Sequence, residues 1–131
     1  MRRQVLLPLA FLGLAACSST NTESSTSNIP PQPIGTPVQA ATVEVRNNVY
    51  VPNNPFITAG GTVTWTWIGN GHSVTSDGSP SFSPNAPVSN APHTLGPVVF
   101  STAGIYSFHC TVHGVAGLYG TGTMTGAVFV Q

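Results

Sequence analysis

Gly104-Ile105-Tyr106-Ser107-Phe108-His109-Cys110-Thr111-Val112-His113-Gly114-Val115-Ala116-Gly117-Leu118-Tyr119-Gly120 is the stretch on which the reading of this chain turns. A strand-like run, Ile105 to Cys110, ends in a cysteine; a histidine follows three positions later, and a glycine-rich loop comes next. A thiolate and an imidazole are thereby placed on one loop. Soft thiolate beside imidazole suits copper or zinc. A second histidine has to come from elsewhere in the chain.

Working outward, Thr62 to Trp67 has the cleanest strand pattern: Val63, Trp65 and Trp67 face one way and Thr62, Thr64 and Thr66 the other, the periodicity of a half-buried strand. The turn Gly69-Asn70-Gly71 then delivers His72, and Ser73-Val74-Thr75 continues as a short strand. Upstream, Thr42 to Arg46 alternates and stops at Asn47-Asn48, Tyr50 and Val51 lead into Pro52-Asn53-Asn54-Pro55, and Phe56-Ile57-Thr58 is closed by Ala59-Gly60-Gly61. Asp77 to Pro97 is rich in Pro, Ser and Asn and reads as long loops with one short strand. Val98 to Phe100 and Ile105 to Cys110 flank a turn at Ala103-Gly104, and Gly122 to Val130 is the last strand, with Met124, Val128 and Val130 on one parity. Seven or eight short strands predict an all-β, two-sheet sandwich, because each one-faced sheet must bury its apolar side against another.

The composition agrees: 12 prolines, 14 glycines and 40% hydrophobic residues in 131 suit one β domain with a modest core. Only 5% of residues are charged, so there is no basic patch for nucleic acid and little long-range steering of a partner. Met1-Arg2-Arg3 and the apolar run Val5 to Ala16 have the form of a secretion signal, too short and too broken by Pro8 for a membrane span. The run ends Leu14-Ala15-Ala16-Cys17, which resembles the lipobox of bacterial lipoproteins. That resemblance implies a signal peptide over 1–16, acylation of Cys17, and an unpaired Cys110 in the mature chain. With Ser18 next, it favours the outer membrane. The alternative is an ordinary cleaved signal and a Cys17–Cys110 disulfide. Residues 17–40 are Ser, Thr, Asn and Pro with hardly an apolar anchor, and read as a disordered tether. The folded domain is expected over 41–131.

His72 after a strand and a turn, then Cys110-x-x-His113 after Gly104-Ile105-Tyr106-Ser107-Phe108, resembles the small blue copper proteins, the cupredoxins, and within them the plastocyanin-like ones. The likeness covers about Thr42 to Val130 and implies an eight-stranded Greek-key sandwich with one type 1 copper at one end. It makes His72, Cys110 and His113 the equatorial copper ligands of an electron carrier. The chain departs from the family at the axial position, eight residues after the cysteine, where Leu118 stands instead of methionine. Met124 lies six residues further on, about 20 Å if extended. A site without a thioether ligand is therefore expected, with Leu118 shielding the metal and the Gly71 carbonyl approaching it weakly.

His109 and His93 complete the histidines. On an extended strand His109 points opposite to Cys110, as a surface residue or a lateral electron route; His93 is expected to be exposed. A histidine beside the copper cysteine raises the reading of a catalytic copper protein, but that needs further histidines and acid/base residues, and only Glu44 and Asp77 lie in the folded part. A copper store or delivery protein would bring more methionine or cysteine, and a metal-free surface domain would not need the ligand trio. The expectation is thus a monomeric carrier, not an enzyme, anchored by its lipid and serving redox proteins of the bacterial envelope.

Overall fold

The computed structural model describes residues 28–120 and 122–131. The expected signal peptide, Cys17 and most of the tether lie outside the described residues. Among the described residues every regular element is a strand: β1 Val38–Arg46, β2 Val49–Val51, β3 Phe56–Trp67, β4 Asn70–Ser76, β5 Ala86–Asn90, β6 Thr94–Phe100, β7 Gly104–His109 and β8 Thr125–Val130. The all-β sandwich of eight strands is as expected.

β3 joins the two layers. Its first residues, Phe56 and Ile57, pair in parallel with Phe129 and Val130 of β8, while Gly61 to Thr66 pair with β6 on one side and β1 on the other. Along β1 the partner jumps from Ile57 opposite Val38 to Thr62 opposite Ala40, a bulge that turns the strand from one layer into the next. Gly60 sits there at φ 83°, and a Cβ on Gly61 would fall 2.7 Å from the carbonyl oxygens of both Gln39 and Thr58. The glycine pair read as the end of a strand is the corner within one, because only glycine permits that approach. The second layer runs β8-β7-β4-β5, and the neighbours β1 and β3, β3 and β8, β7 and β4 are the crossing connections of a Greek key.

Three boundaries differ from expectation. β1 begins at Val38, before Ala41, and chain as early as Pro30 packs on the domain: Pro30 is buried and Pro31 O accepts from Asn54 Nδ2 at 2.8 Å. β6 begins at Thr94 and takes in residues read as loop, since its Leu95 and Val98 are core residues even without clean alternation. β8 is buried at all six positions rather than on one parity, because it lies inside its sheet, between β7 and the segment 53–57.

Alternation does the rest. Val43 and Val45 of β1 and Val63, Trp65 and Trp67 of β3 point into the core, where they meet Val74, Phe108 and Val128 of the other layer. Trp65 is the hub: its ring stacks on Phe82 at 5.5 Å and meets Phe108 edge-on at 5.5 Å, while Phe108 meets Tyr50 edge-on at 4.8 Å. Such pairs contribute about 0.5–1.5 kcal/mol each beyond burial. They make a rigid floor beneath the end of the sandwich where β3, β4 and β7 deliver their loops.

Candidate metal centre

His72 enters the site from β4. Gly69 and Gly71 form the turn before it, Gly71 at φ 76°, and a Cβ on Gly69 would lie 2.6 Å from Asn47 Oδ1. The register of β4 against β5 is irregular on both sides of His72, which lets its ring leave the ordinary pleat. Trp67 Nε1 donates to His72 O at 2.8 Å, so the tryptophan that closes β3 also fixes the histidine backbone.

Cys110 and His113 arrive from the end of β7. The chain leaves the strand in one tight turn, with Gly114 N–H donating to Cys110 O at 2.8 Å. The turn has no room for a side chain at Gly114, whose Cβ would collide with Met124 O and sit 3.1 Å from Cys110 O. Gly114→Ala is expected to cost about 1–3 kcal/mol, the usual range for overpacking, and to weaken metal binding as well. Thermal melting of the metal-free protein checks the first effect and a metal titration the second.

Ser73 staples the two sources together. Its N–H points to Cys110 Sγ at 3.4 Å, its Oγ accepts Thr111 N–H at 2.9 Å, and its carbonyl accepts Tyr50 OH at 2.6 Å. Burial first, then the nearby Cys110 and Asp77, raises the Tyr50 hydroxyl well above the ordinary phenol range, so it stays a neutral donor. Sequence reading missed the roles of Ser73, Thr111 and Asp77: the first two lie beside the ligands and were given no role of their own, the third stands in a polar loop, and only their proximity in the fold reveals what they bond.

The result is one compact trio. The ligating atoms of His72, Cys110 and His113 lie within 4.8 Å of one another, the only such group of three among the described residues. His72 Nδ1 and His113 Nδ1 are 3.2 Å apart, and Cys110 Sγ is 3.6 Å from His113 Nδ1. Metal bonds of about 2.0 Å to nitrogen and 2.3 Å to sulfur are long enough for one ion to span both separations. Cys110 is a free thiol with no exposure, and His72 is 2% exposed. Burial, and secondly His113, lowers the His72 pKa from its ordinary value, which keeps the ring neutral and its lone pair available. The donor set and its spacing fit a single soft or borderline metal ion.

Leu118 and Met124 differ in their surroundings. Leu118 is 48% exposed, in a turn where its N–H donates to Val115 O. Met124 is 1% exposed, and its backbone bonds to both loop ligands: its carbonyl accepts Cys110 N–H at 3.0 Å and its N–H donates to His113 O at 2.9 Å. Thr123 N–H turns back to Gly120 O, so the chain just before Met124 is folded rather than extended. His109 is not the open surface residue expected: its side chain is 13% exposed and its Nδ1 pairs with Asp77 Oδ1. His93 is half-buried, its ring edge-on to Trp67 at 4.7 Å, and takes no part.

Neither a protein-family model nor a curated protein matches the sequence. Solved structures do match. An amicyanin variant in its reduced Cu(I) form at pH 4 superposes with a TM-score of 0.53 at 23% identity, over 81% of this chain and 95% of that one. A second amicyanin variant, in the reduced state, gives 0.52 at 24% over 70% and 82%. A purple cupredoxin from Nitrosopumilus maritimus gives 0.51 at 23% over 70% and 99%. With the eight strands, the layer-crossing β3 and the ligand trio at one end of the sandwich, these likenesses establish that the chain has the cupredoxin fold.

Proposed function

We propose that the protein is a one-electron carrier built on a single type 1 copper, held by His72 Nδ1, Cys110 Sγ and His113 Nδ1. The observation that carries this reading is the trio itself: two imidazole nitrogens and one buried thiol at ligand spacing on a cupredoxin frame. A copper ion there supplies a Cu(II)/Cu(I) couple near trigonal geometry, where gain of an electron needs little rearrangement. The protein's part is to keep that geometry fixed. Ser73 N–H stabilises the Cys110 sulfur, Trp67 and the β4 bulges hold His72, and the Gly114 turn sets His113 against Cys110.

For the fourth position the buried Met124 is better supported than Leu118, because its backbone is bonded to both loop ligands while Leu118 is half exposed. The Gly71 carbonyl is a further weak donor. His113 is only partly buried and is flanked by Val112 and Val115, 57% and 58% exposed, an apolar setting for brief contact with redox proteins. The carboxylates of the described chain, Glu44 and Asp77, lie outside the trio, which favours a carrier over a substrate-converting enzyme. The lipobox-like Leu14 to Cys17, with Ser18 next, supports export and lipid anchoring at the cell envelope, outer membrane favoured.

Addition of Cu(II) to the purified protein tests the reading. The expected result is an intense visible thiolate band and an EPR spectrum of narrow copper hyperfine splitting. A colourless sample with an ordinary tetragonal spectrum would overturn it.

A further inference from the structure

Residues 114–123 connect His113 to Met124, so whatever fixes this connection also fixes the proposed site. Among the described residues it bonds within itself through Leu118 N–H to Val115 O at 3.1 Å, and Thr123 N–H and Oγ1 to Gly120 O at 3.3 and 2.8 Å. Gly114 and Met124 tie its two roots to Cys110 and His113. Among the described residues, one hydrogen bond runs from 115–120 to the body of the domain: Gly117 N–H donates to Asp77 Oδ2 at 3.0 Å. Val115 to Leu118 are all exposed, so burial does not hold this turn in place. Gly117 is at φ 69°, the left-handed conformation that lets the tip of the turn aim its N–H at the carboxylate.

Asp77 is itself immobilised. Its N–H donates to Ser107 O on β7 at 2.9 Å, and its Oδ1 accepts His109 Nδ1–H at 2.6 Å. Its side chain is 12% exposed and that of His109 13%. A carboxylate is acceptor-only and carries two oxygens, so it satisfies both donors at once, and charge-assisted bonds are the stronger kind. The line Gly117–Asp77–His109 therefore runs from the loop tip to the residue covalently preceding Cys110. A crevice of about 120 Å³ lies beside it, lined by Asp77, Gly117, Pro80, Ile105 and Ser107.

We propose that Asp77 is a positioning residue: its carboxylate clamps the tip of the 114–123 connection onto β7 beside Cys110, which holds His113 and Met124 in register. The clamp stands on the geometry alone; its effect on the metal rests on the copper reading above.

Asp77→Ala and Asp77→Asn in the whole protein test it, by amide hydrogen exchange of the metal-free form and by transfer of Cu(I) to an excess of a competing chelator. Asp77→Ala is expected to speed exchange at Gly117 at least tenfold, to speed Cu(I) loss about tenfold, and to shift the thiolate band. Asp77→Asn is expected to restore most of both rates, since its carbonyl accepts Gly117 N–H and its amide meets the other His109 tautomer. Unchanged Gly117 exchange in Asp77→Ala overturns the clamp. Faster exchange with unchanged Cu(I) transfer overturns its metal role. If the parent protein forms no thiolate–copper band, the copper reading fails while exchange still decides the clamp. Should Asp77→Ala not fold, Asp77→Glu, which displaces the carboxylate by one methylene, has to show the faster Gly117 exchange, and its absence is equally decisive.

Discussion

Cys110→Ala is expected to abolish the intense visible band and to lower Cu(I) affinity by about 10³-fold or more. Loss of an outer hydrogen-bond partner of a metal ligand typically costs about 10–100-fold, and here the soft donor itself is removed from a site whose other donors are two imidazoles. The fold should survive, because Cys110 is a small residue at the margin of the core and its backbone bonds to Met124 and Gly114 remain. Deleting the sulfur leaves Ser73 N–H without its acceptor in a buried place, a cost of about 1–3 kcal/mol. Cys110→Ser separates the effects, since its hydroxyl can still accept that bond but is a hard ligand. Its melting temperature should fall near that of the parent metal-free protein while the colour is lost. Absorption, EPR and chelator competition on both variants check this, and a strong band persisting in Cys110→Ala would contradict the thiolate assignment.

Much of the site was legible because its chemistry lies in residue types that are rare in this chain. One cysteine in the folded part, a histidine three positions on and another histidine after a glycine turn were enough to nominate the trio, and the structure brings those three together. The Val63-Trp65-Trp67 alternation likewise marked β3 correctly, since both faces of that strand differ in polarity. The failures have a common physical origin in non-local geometry. The Ala59-Gly60-Gly61 turn signal was real, but it serves a layer-crossing corner whose neighbours, Gln39 above all, are distant in sequence. Asp77 looked like one carboxylate in a polar loop, yet pairing of Thr75 with His109 brings it to both His109 and Gly117. Met124 was weighed by distance along an extended chain, whereas its backbone bonds to Cys110 and His113 depend on how the chain turns before β8.

Met124→Leu is expected to raise the reduction potential, whereas Leu118→Met should leave it nearly unchanged. Leucine and methionine are close in volume, so either exchange costs less than about 1.5 kcal/mol and the fold is not at issue. What differs is the reach of a thioether. Met124 is buried with its backbone bonded to Cys110 and His113, while Leu118 sits half exposed in a turn whose tip is bonded to Asp77. A weak axial sulfur favours Cu(II), and its removal leaves the three-coordinate set that suits Cu(I). For a one-electron couple each tenfold shift in that balance is about 59 mV, and a rise on the order of 60 mV or more is anticipated in Met124→Leu. Voltammetry of the parent and both variants decides between the positions. The opposite pattern, a lowered potential in Leu118→Met with no change in Met124→Leu, would require the Val115–Leu118 turn to leave Asp77 and fold inward on metal binding. Gly117 would then lose its acceptor, so hydrogen exchange at that amide would rise on loading with copper, whereas an axial Met124 leaves it protected.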